Sequence, residues 1–224
     1  MGLARIVEIE LIIFDCDGVL ADSELMAFQA QAEIISEAGI PLTPKDIEPY
    51  MGVVGTEMYK DIAEKHHHPL PHDMSERFVE RILQLAKSAP VDMPSIKDVL
   101  GNLEQKYCVA SNGEFARLQG TLQAAELTEF FNGNIFNAEM VERGKPAPDL
   151  FLYAARHMDV APEKSLVVED SIHGVNAGVA AGMKVFGFTG GCHCPPDHGQ
   201  RLLDTGAELV FDDLCRLPVL IADL

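Results

Sequence analysis

The chain has 224 residues, 47% of them hydrophobic and 23% charged, enough for one large domain or a domain carrying an insertion around a sizeable core. Seventeen basic against thirty-five acidic residues give a formal charge of −18, which disfavours nucleic acid and anionic membranes as partners and points to a small molecule. No apolar run approaches the roughly 20 residues that span a bilayer, and five cysteines without even spacing argue against a disulfide framework, so a reducing, cytoplasmic setting is expected.

Met1-Gly2-Leu3-Ala4-Arg5 leads straight toward the first strand without signal-peptide architecture, and Ile6 stands where a myristoylation motif needs Ser or Thr. Leu11-Ile12-Ile13-Phe14 is a short apolar run with no polar alternation, the pattern of a strand covered on both faces. Asp15 and Asp17 follow at its carboxyl end, where open α/β sheets bind ligands, and Gly18 permits a sharp turn. A calcium loop is excluded, because counting from Asp15 puts Leu20 at its glycine position and Met26 at its closing glutamate.

Leu25, Phe28, Ala32 and Ile35 recur at helical spacing and predict a helix over 24–38, with Ser23 as N-cap and Gly39 as terminator. Helices are also predicted over 44–51, 55–65 and 74–87, with no good strand between them. The proline-punctuated run Ala89-Pro90-Val91-Asp92-Met93-Pro94 closes this block. A βα pattern then resumes: helix 96–105, strand Tyr107-Cys108-Val109-Ala110, helix 114–125 and a weaker strand at 134–137. A helix through Leu150, Phe151, Ala154 and Met158, strand Leu166-Val167-Val168, helix 172–181, and strands at 183–188 and 208–211 complete the chain. The predicted class is α/β: a Rossmann-like parallel sheet core over 1–21 and 89–224, interrupted by a helical cap domain over 22–88.

Three apolar strands end in polar clusters, at Asp15 and Asp17, at Ser111, and at Glu169 and Asp170; parallel strands would bring these ends to one sheet edge. Singly, Ser111 or Asp170 is as well explained as a helix cap. For Asp15, Asp17, Ser111, Lys145 and Asp170 together, in this order, capping is a poor explanation.

The same positions carry a resemblance. Asp15-Cys16-Asp17-Gly18-Val19-Leu20, Val109-Ala110-Ser111-Asn112-Gly113, Gly144-Lys145-Pro146 and Val168-Glu169-Asp170-Ser171 resemble the four signatures of the haloacid dehalogenase-like superfamily, and its β-phosphoglucomutase-like and sugar-phosphate phosphatase members in particular. The resemblance implies a magnesium-dependent phosphomonoester hydrolase acting on a small sugar or polyol phosphate. Asp15 would be the nucleophile and Asp17 the general acid and base, while Ser111 and Lys145 hold the phosphoryl oxygens. It also implies Mg2+ bound by Asp15, the backbone carbonyl of Asp17 and Asp170, with Glu169 acting through water.

Substrate contacts are sought at Asn112 and Gly113, with Glu114 beside them, and in the cap at Met51, Val54, Thr56, Glu57 and Tyr59. The alternatives are a phosphosugar mutase sharing these residues and a non-catalytic phosphate-binding protein of the same fold. Against the mutase, the cap loop Met51-Gly52-Val53-Val54-Gly55-Thr56-Glu57 has no cation before Lys60. Against the binding protein, no signature residue is lost. Dehalogenation would leave Asp17 without a role. His66-His67-His68 reads as a solvated loop, Cys192-His193-Cys194 with His198 as an exposed loop rather than a zinc site, and Cys16 as a packing residue. A monomer is expected.

Overall fold

The structure is a computed structural model that describes residues 8–50, 53, 55–88 and 91–224. Strands β1 (Leu11–Phe14), β2 (Lys106–Ser111), β3 (Ile135–Asn137), β4 (Ser165–Glu169), β5 (Lys184–Phe188) and β6 (Leu209–Phe211) form one sheet in the order β3-β2-β1-β4-β5-β6. Every neighbouring pair is parallel. The chain builds outward from β1 through β2 to β3, then returns to lay β4 on the other side. Strand order therefore reverses at β1 and β4, which opens a crevice at their carboxyl ends.

Side-chain alternation divides β1 between two cores. Ile12 and Phe14 face a cluster completed by Leu118, Leu122, Phe131 and Leu217, whereas Leu11 and Ile13 face one built from Leu150, Phe151, Val175 and Leu202. Both faces are dry, which is why these strands read as unbroken apolar runs.

Between β1 and β2 lie α1 (Glu24–Glu37), α2 (Pro44–Ile47), α3 (Gly55–Lys65) and α4 (Met74–Ala86), which share a third core of Phe28, Ile35, Ile62, Phe78 and Ile82. The two chain crossings into this block run side by side, with Asp22 N donating to Val91 O at 2.8 Å and Met93 N to Leu20 O at 3.0 Å. Next come α5 (Ile96–Asn102), α6 (Phe115–Ala124), α7 (Thr128–Phe131), α8 (Asp149–His157), α9 (Ile172–Ala180), α10 (His198–Thr205) and α11 (Leu217–Ala222). Helix α4 packs against α6 so closely that a methyl group on Gly120 would lie 3.2 Å from Val79.

The helix expected over 44–51 stops at Ile47 and continues as a single tight turn, Glu48–Tyr50, around Pro49, which has no N–H to donate. Met51, Gly52, Val54, Ala89 and Pro90 lie outside the described residues, as do residues 1–7. Helix α5 ends before 105 because Leu103 is extended and Lys106 already pairs with β1. Helices α7, α10 and α11, of 4, 8 and 6 residues, are too short to show a helical period in sequence. No helix among the described residues is long and apolar enough to cross a membrane.

Candidate active site

The ladder of β1 runs one residue past the strand, with Asp15 N donating to Val168 O at 3.0 Å, and the chain then turns. Gly18 adopts φ +82°, and Leu20 N and Ala21 N both donate to Cys16 O at 3.0 Å. A side chain at Gly18 would place its first carbon 1.9 Å from Asp170 Oδ2, so glycine is required by contact as well as by conformation. Cys16 points away from its flanking aspartates into the sheet-face core, where burial, then the charges of Asp17 and Asp15, hold its thiol pKa well above the ordinary value.

Lys145 sits between two strand ends. Its Nζ donates to Asp15 Oδ1 and to Glu169 Oε1, each at 2.6 Å, with all three side chains largely buried. Burial alone would depress the lysine pKa, but Asp15 and Glu169 outweigh it and raise it above the usual range. The remaining Glu169 oxygen accepts from Ser171 N and Ser171 Oγ, both at 2.9 Å. Asn112 places the lysine: its Oδ1 accepts from Lys145 N at 2.8 Å, and its Nδ2 donates to Lys145 O at 2.9 Å. The side-chain amide of Asn112 is thus occupied by the Lys145 backbone, although the residue does line the cavity.

Asp15, Glu169 and Asp170 offer carboxylate oxygens that lie within 4.8 Å of one another. Three acidic groups against Lys145 and the His193 imidazole still leave the cluster short of positive charge. The consequence is visible in two of them: burial first, then neighbouring carboxylates, raises the pKa of Asp15 despite Lys145, and burial raises that of Asp170 despite its bond from His193. An all-oxygen, charge-deficient set suits a hard divalent cation, so the residues present fit a magnesium-type ion. The side chain of Asp17 stands apart from this set, its Oδ1 accepting from Ser23 Oγ at 2.6 Å and its Oδ2 from Arg117 Nη2 at 3.3 Å.

These residues line a cavity of about 300 Å3 between the sheet edge and the helical block. Ser111, Asn112 and Gly113 line it from β2, with Ser111 Oγ accepting from Gly113 N at 3.1 Å. Of the expected contacts from the block, Thr56 and Glu57 are exposed and do not line it; Val53 and Gly55 do. Tyr59 is buried in the block, its hydroxyl donating to Gln31 Oε1 at 2.7 Å. Glu114 ties the block to the core, accepting from Thr56 N at 2.9 Å and from Ser75 Oγ at 2.6 Å.

Sequence reasoning missed Glu24, Arg117, His193 and His198 as members of this cavity wall. Glu24 opens α1, and burial, followed by the charge of Asp17, pushes its pKa up to about 7 against the opposing pull of Arg117. The run Cys192-His193-Cys194 is not the wholly exposed loop expected. His193 is tucked inward with Nε2 2.9 Å from Asp170 Oδ2, an attachment that raises its pKa to about 11, while Cys192 is exposed. His198 Nε2 donates to the Asp170 carbonyl. No sequence signal marked His193: the run is a turn, in which its Nε2 also lies 3.6 Å from Cys194 Sγ. His66, His67 and His68 are exposed between α3 and α4, where His68 Nε2 donates to Ala38 O at 3.0 Å.

The sequence pattern of the haloacid dehalogenase-like hydrolases matches residues 12–188. The chain is 30% identical to 6-phosphogluconate phosphatase of Escherichia coli, over 95% of this chain and 94% of that protein. It is 29% identical to a phosphorylated carbohydrates phosphatase of Thermotoga maritima, over 88% and 92% respectively. Among solved structures, a HAD family hydrolase from Deinococcus radiodurans with bound phosphate and sodium superposes with a TM-score of 0.72 at 29% identity, covering 97% of this chain and 96% of that one. The chain belongs to the haloacid dehalogenase-like hydrolase family.

Proposed function

We propose that this protein is a magnesium-dependent phosphomonoester hydrolase that acts on a small sugar or polyol phosphate through an aspartyl-phosphate on Asp15. The observation that carries this reading is the Lys145 ammonium held 2.6 Å from both Asp15 and Glu169 beside Asp170, at the floor of a closed-in cavity. Such a site sets a cation directly on a nucleophilic carboxylate, within an acidic cluster that a divalent ion would complete, and phosphoryl transfer is mostly positioning and charge stabilisation. The relatives matched over most of their length bear the names of phosphatases of phosphorylated sugars and sugar acids, which supports the same chemistry here.

In the first step an oxygen of Asp15 attacks phosphorus and the bond from phosphorus to the sugar oxygen breaks. Asp17 gives its proton to that leaving oxygen. In the second step water attacks the same phosphorus, Asp17 takes the water proton, and the Asp15–phosphorus bond breaks to release inorganic phosphate. Ser23 and Arg117, bound to the two oxygens of Asp17, hold it for both transfers. The Ser111 hydroxyl and the Lys145 ammonium bind phosphoryl oxygens, and Asn112 fixes the lysine backbone. Asp15, Asp170 and the Asp17 carbonyl, with Glu169 through water, would hold Mg2+, which when bound supplies further positive charge to the transferring group.

The helical block over 22–88 acts as a cap that closes on the core and excludes bulk water. The paired crossings at Asp22–Val91 and Leu20–Met93 are its hinge, and the contacts of Glu114 with Thr56 and Ser75 hold it closed. A free metabolite as substrate agrees with a cytoplasmic enzyme.

The test is phosphate release from a panel of sugar and polyol phosphates, with and without magnesium, in wild type and Asp15→Asn. Release that requires both magnesium and Asp15 supports the reading. Release by Asp15→Asn at the wild-type rate contradicts it, and interconversion of sugar phosphates without release would replace it with the mutase.

A further inference from the structure

We propose that His193 is a positioning residue for the metal site: its imidazole donates to one oxygen of Asp170 and so presents the other to the divalent ion. This deepens the hydrolase reading above and rests on its assignment of that ion to Asp170.

Two imidazoles from the chain after β5 converge on Asp170. His193 Nε2 lies 2.9 Å from Asp170 Oδ2, and because a carboxylate only accepts, the ring nitrogen is the donor. His198, the first residue of α10, donates from Nε2 to the Asp170 carbonyl. One histidine therefore holds the side chain and the other the backbone of the same residue. Asp170 Oδ1 takes no hydrogen bond among the described residues, and Asp170 lines the cavity beside Asp15 and Glu169. A carboxylate with one oxygen tied and the other open is set to hold an ion through a single oxygen, and the partner of the tied oxygen fixes its direction.

The fold gives this ring a slot. A side-chain carbon at Gly18 and one at Gly191 would each lie 2.7 Å from His193 Cε1, so the imidazole sits between two glycines, one in the loop after β1 and one in its own turn. That turn is fastened at two points: Cys194 N donates to Gly191 O at 3.1 Å, and Cys192 N to Asp22 Oδ1 at 3.0 Å. The His193 side chain is as buried as that of Asp170. Its burial serves no other strong polar bond among the described residues, because Nδ1 has no partner and Nε2 otherwise meets only Cys194 Sγ at 3.6 Å. A buried imidazole whose one strong bond goes to a carboxylate of the metal cluster is placed to act through that carboxylate.

The experiment is calorimetric titration of the metal-free protein with Mg2+ alone, for wild type, His193→Leu and His193→Gln. Leucine fills the slot without a donor, whereas glutamine carries its amide nitrogen at the reach of Nε2. His193→Leu is expected to bind Mg2+ more weakly by roughly ten- to a hundred-fold, the scale of a lost outer partner of a metal ligand, and His193→Gln to recover most of it. In turnover, the magnesium concentration for half activation should rise in His193→Leu by the same factor, while KM for substrate at saturating magnesium stays at the wild-type value. A merely structural role would lower Tm and shift KM, and glutamine would not rescue it. Should His193→Leu fail to fold, His193→Asn takes its place, because its shorter amide stops short of Asp170 and should bind Mg2+ more weakly than His193→Gln. Equal affinity in wild type and the donor-free variant, equal weakening by glutamine, or tighter binding without the imidazole overturns the assignment alone. A wild type that binds no magnesium overturns the metal part of the hydrolase reading and the assignment with it, whereas magnesium binding with the expected variant order but no phosphate release overturns the hydrolase reading and leaves the assignment standing.

Discussion

Gly174→Ala adds one methyl group in α9, and the structure places that carbon 1.8 Å from the Glu169 carboxylate. Neither side can yield cheaply. Glu169 is fully buried and held by Lys145 at 2.6 Å and by Ser171 N and Oγ at 2.9 Å, while the Ser171 hydroxyl also accepts from Gly174 N at 2.9 Å. Displacing the carboxylate loses a charge-assisted bond of about 1.5–3 kcal/mol and weakens two others of about 1 kcal/mol each. Alanine returns up to about 1 kcal/mol of helix propensity. The expected net loss is about 2–4 kcal/mol, and at roughly 2–4 °C per kcal/mol for a chain of this size, Tm falls by about 4–16 °C. The assay is thermal unfolding without metal, followed by calorimetric titration with magnesium, which should bind more weakly. Gly101→Ala in α5 is the control: nothing lies within 4 Å of the added carbon, and a gain of about 0.4–1 kcal/mol is expected. A Gly174→Ala protein that melts at or above wild type and binds magnesium equally would refute the packing argument.

Two further perturbations address the cavity wall and the contact between the block and the core. Glu24 has a folded pKa of about 7 against an ordinary 4.5. The folded state therefore holds this proton more tightly, so the stability it contributes is intact below about pH 4.5 and is lost as pH rises through 7. Glu24→Gln stays neutral throughout. Its stability relative to wild type should increase between about pH 5 and pH 8 by up to roughly 3 kcal/mol, read from urea unfolding at each pH; parallel curves would contradict the burial argument. Glu114→Ala removes the acceptor for Thr56 N and Ser75 Oγ. Amide exchange at Thr56 should accelerate, and KM should rise for every substrate by roughly three- to thirty-fold, reflecting about 1–2 kcal/mol of lost contact; unchanged exchange would show that the bond to Thr56 does not form.

What could be read from the sequence was local. Phe14 followed by Asp15, Ala110 by Ser111, and Val168 by Glu169 and Asp170 each place a polar residue where an apolar run stops, so strand and site residue announce one another. Parallel order then brings these ends together without knowledge of any side-chain contact. Arg117, Glu24 and His193 carry no such mark. Each is a polar residue at the start of a helix or in a loop, indistinguishable in sequence from a solvated one, and its inward orientation depends on packing of the helical block or of the chain after β5 against the core. Asn112 sits beside a legible residue, yet its pairing with Lys145 spans a gap in sequence that only folding closes. Thr56 and Glu57 show the converse: they stand next to Gly55, which lines the cavity, but helix α3 turns both outward.

The central claim is that the phosphoryl group passes through Asp15. It is tested most directly with Asp17→Asn and an aryl phosphate whose leaving group needs no proton, because loss of the base then slows only the second step. After a brief incubation with magnesium, peptide mass spectrometry should find the phosphoryl group in stoichiometric amount on Asp15, and a burst of aryl alcohol should precede slow turnover. An unmodified Asp15 peptide during continued phosphate release, or the label on Ser111 or a histidine instead, would contradict the account.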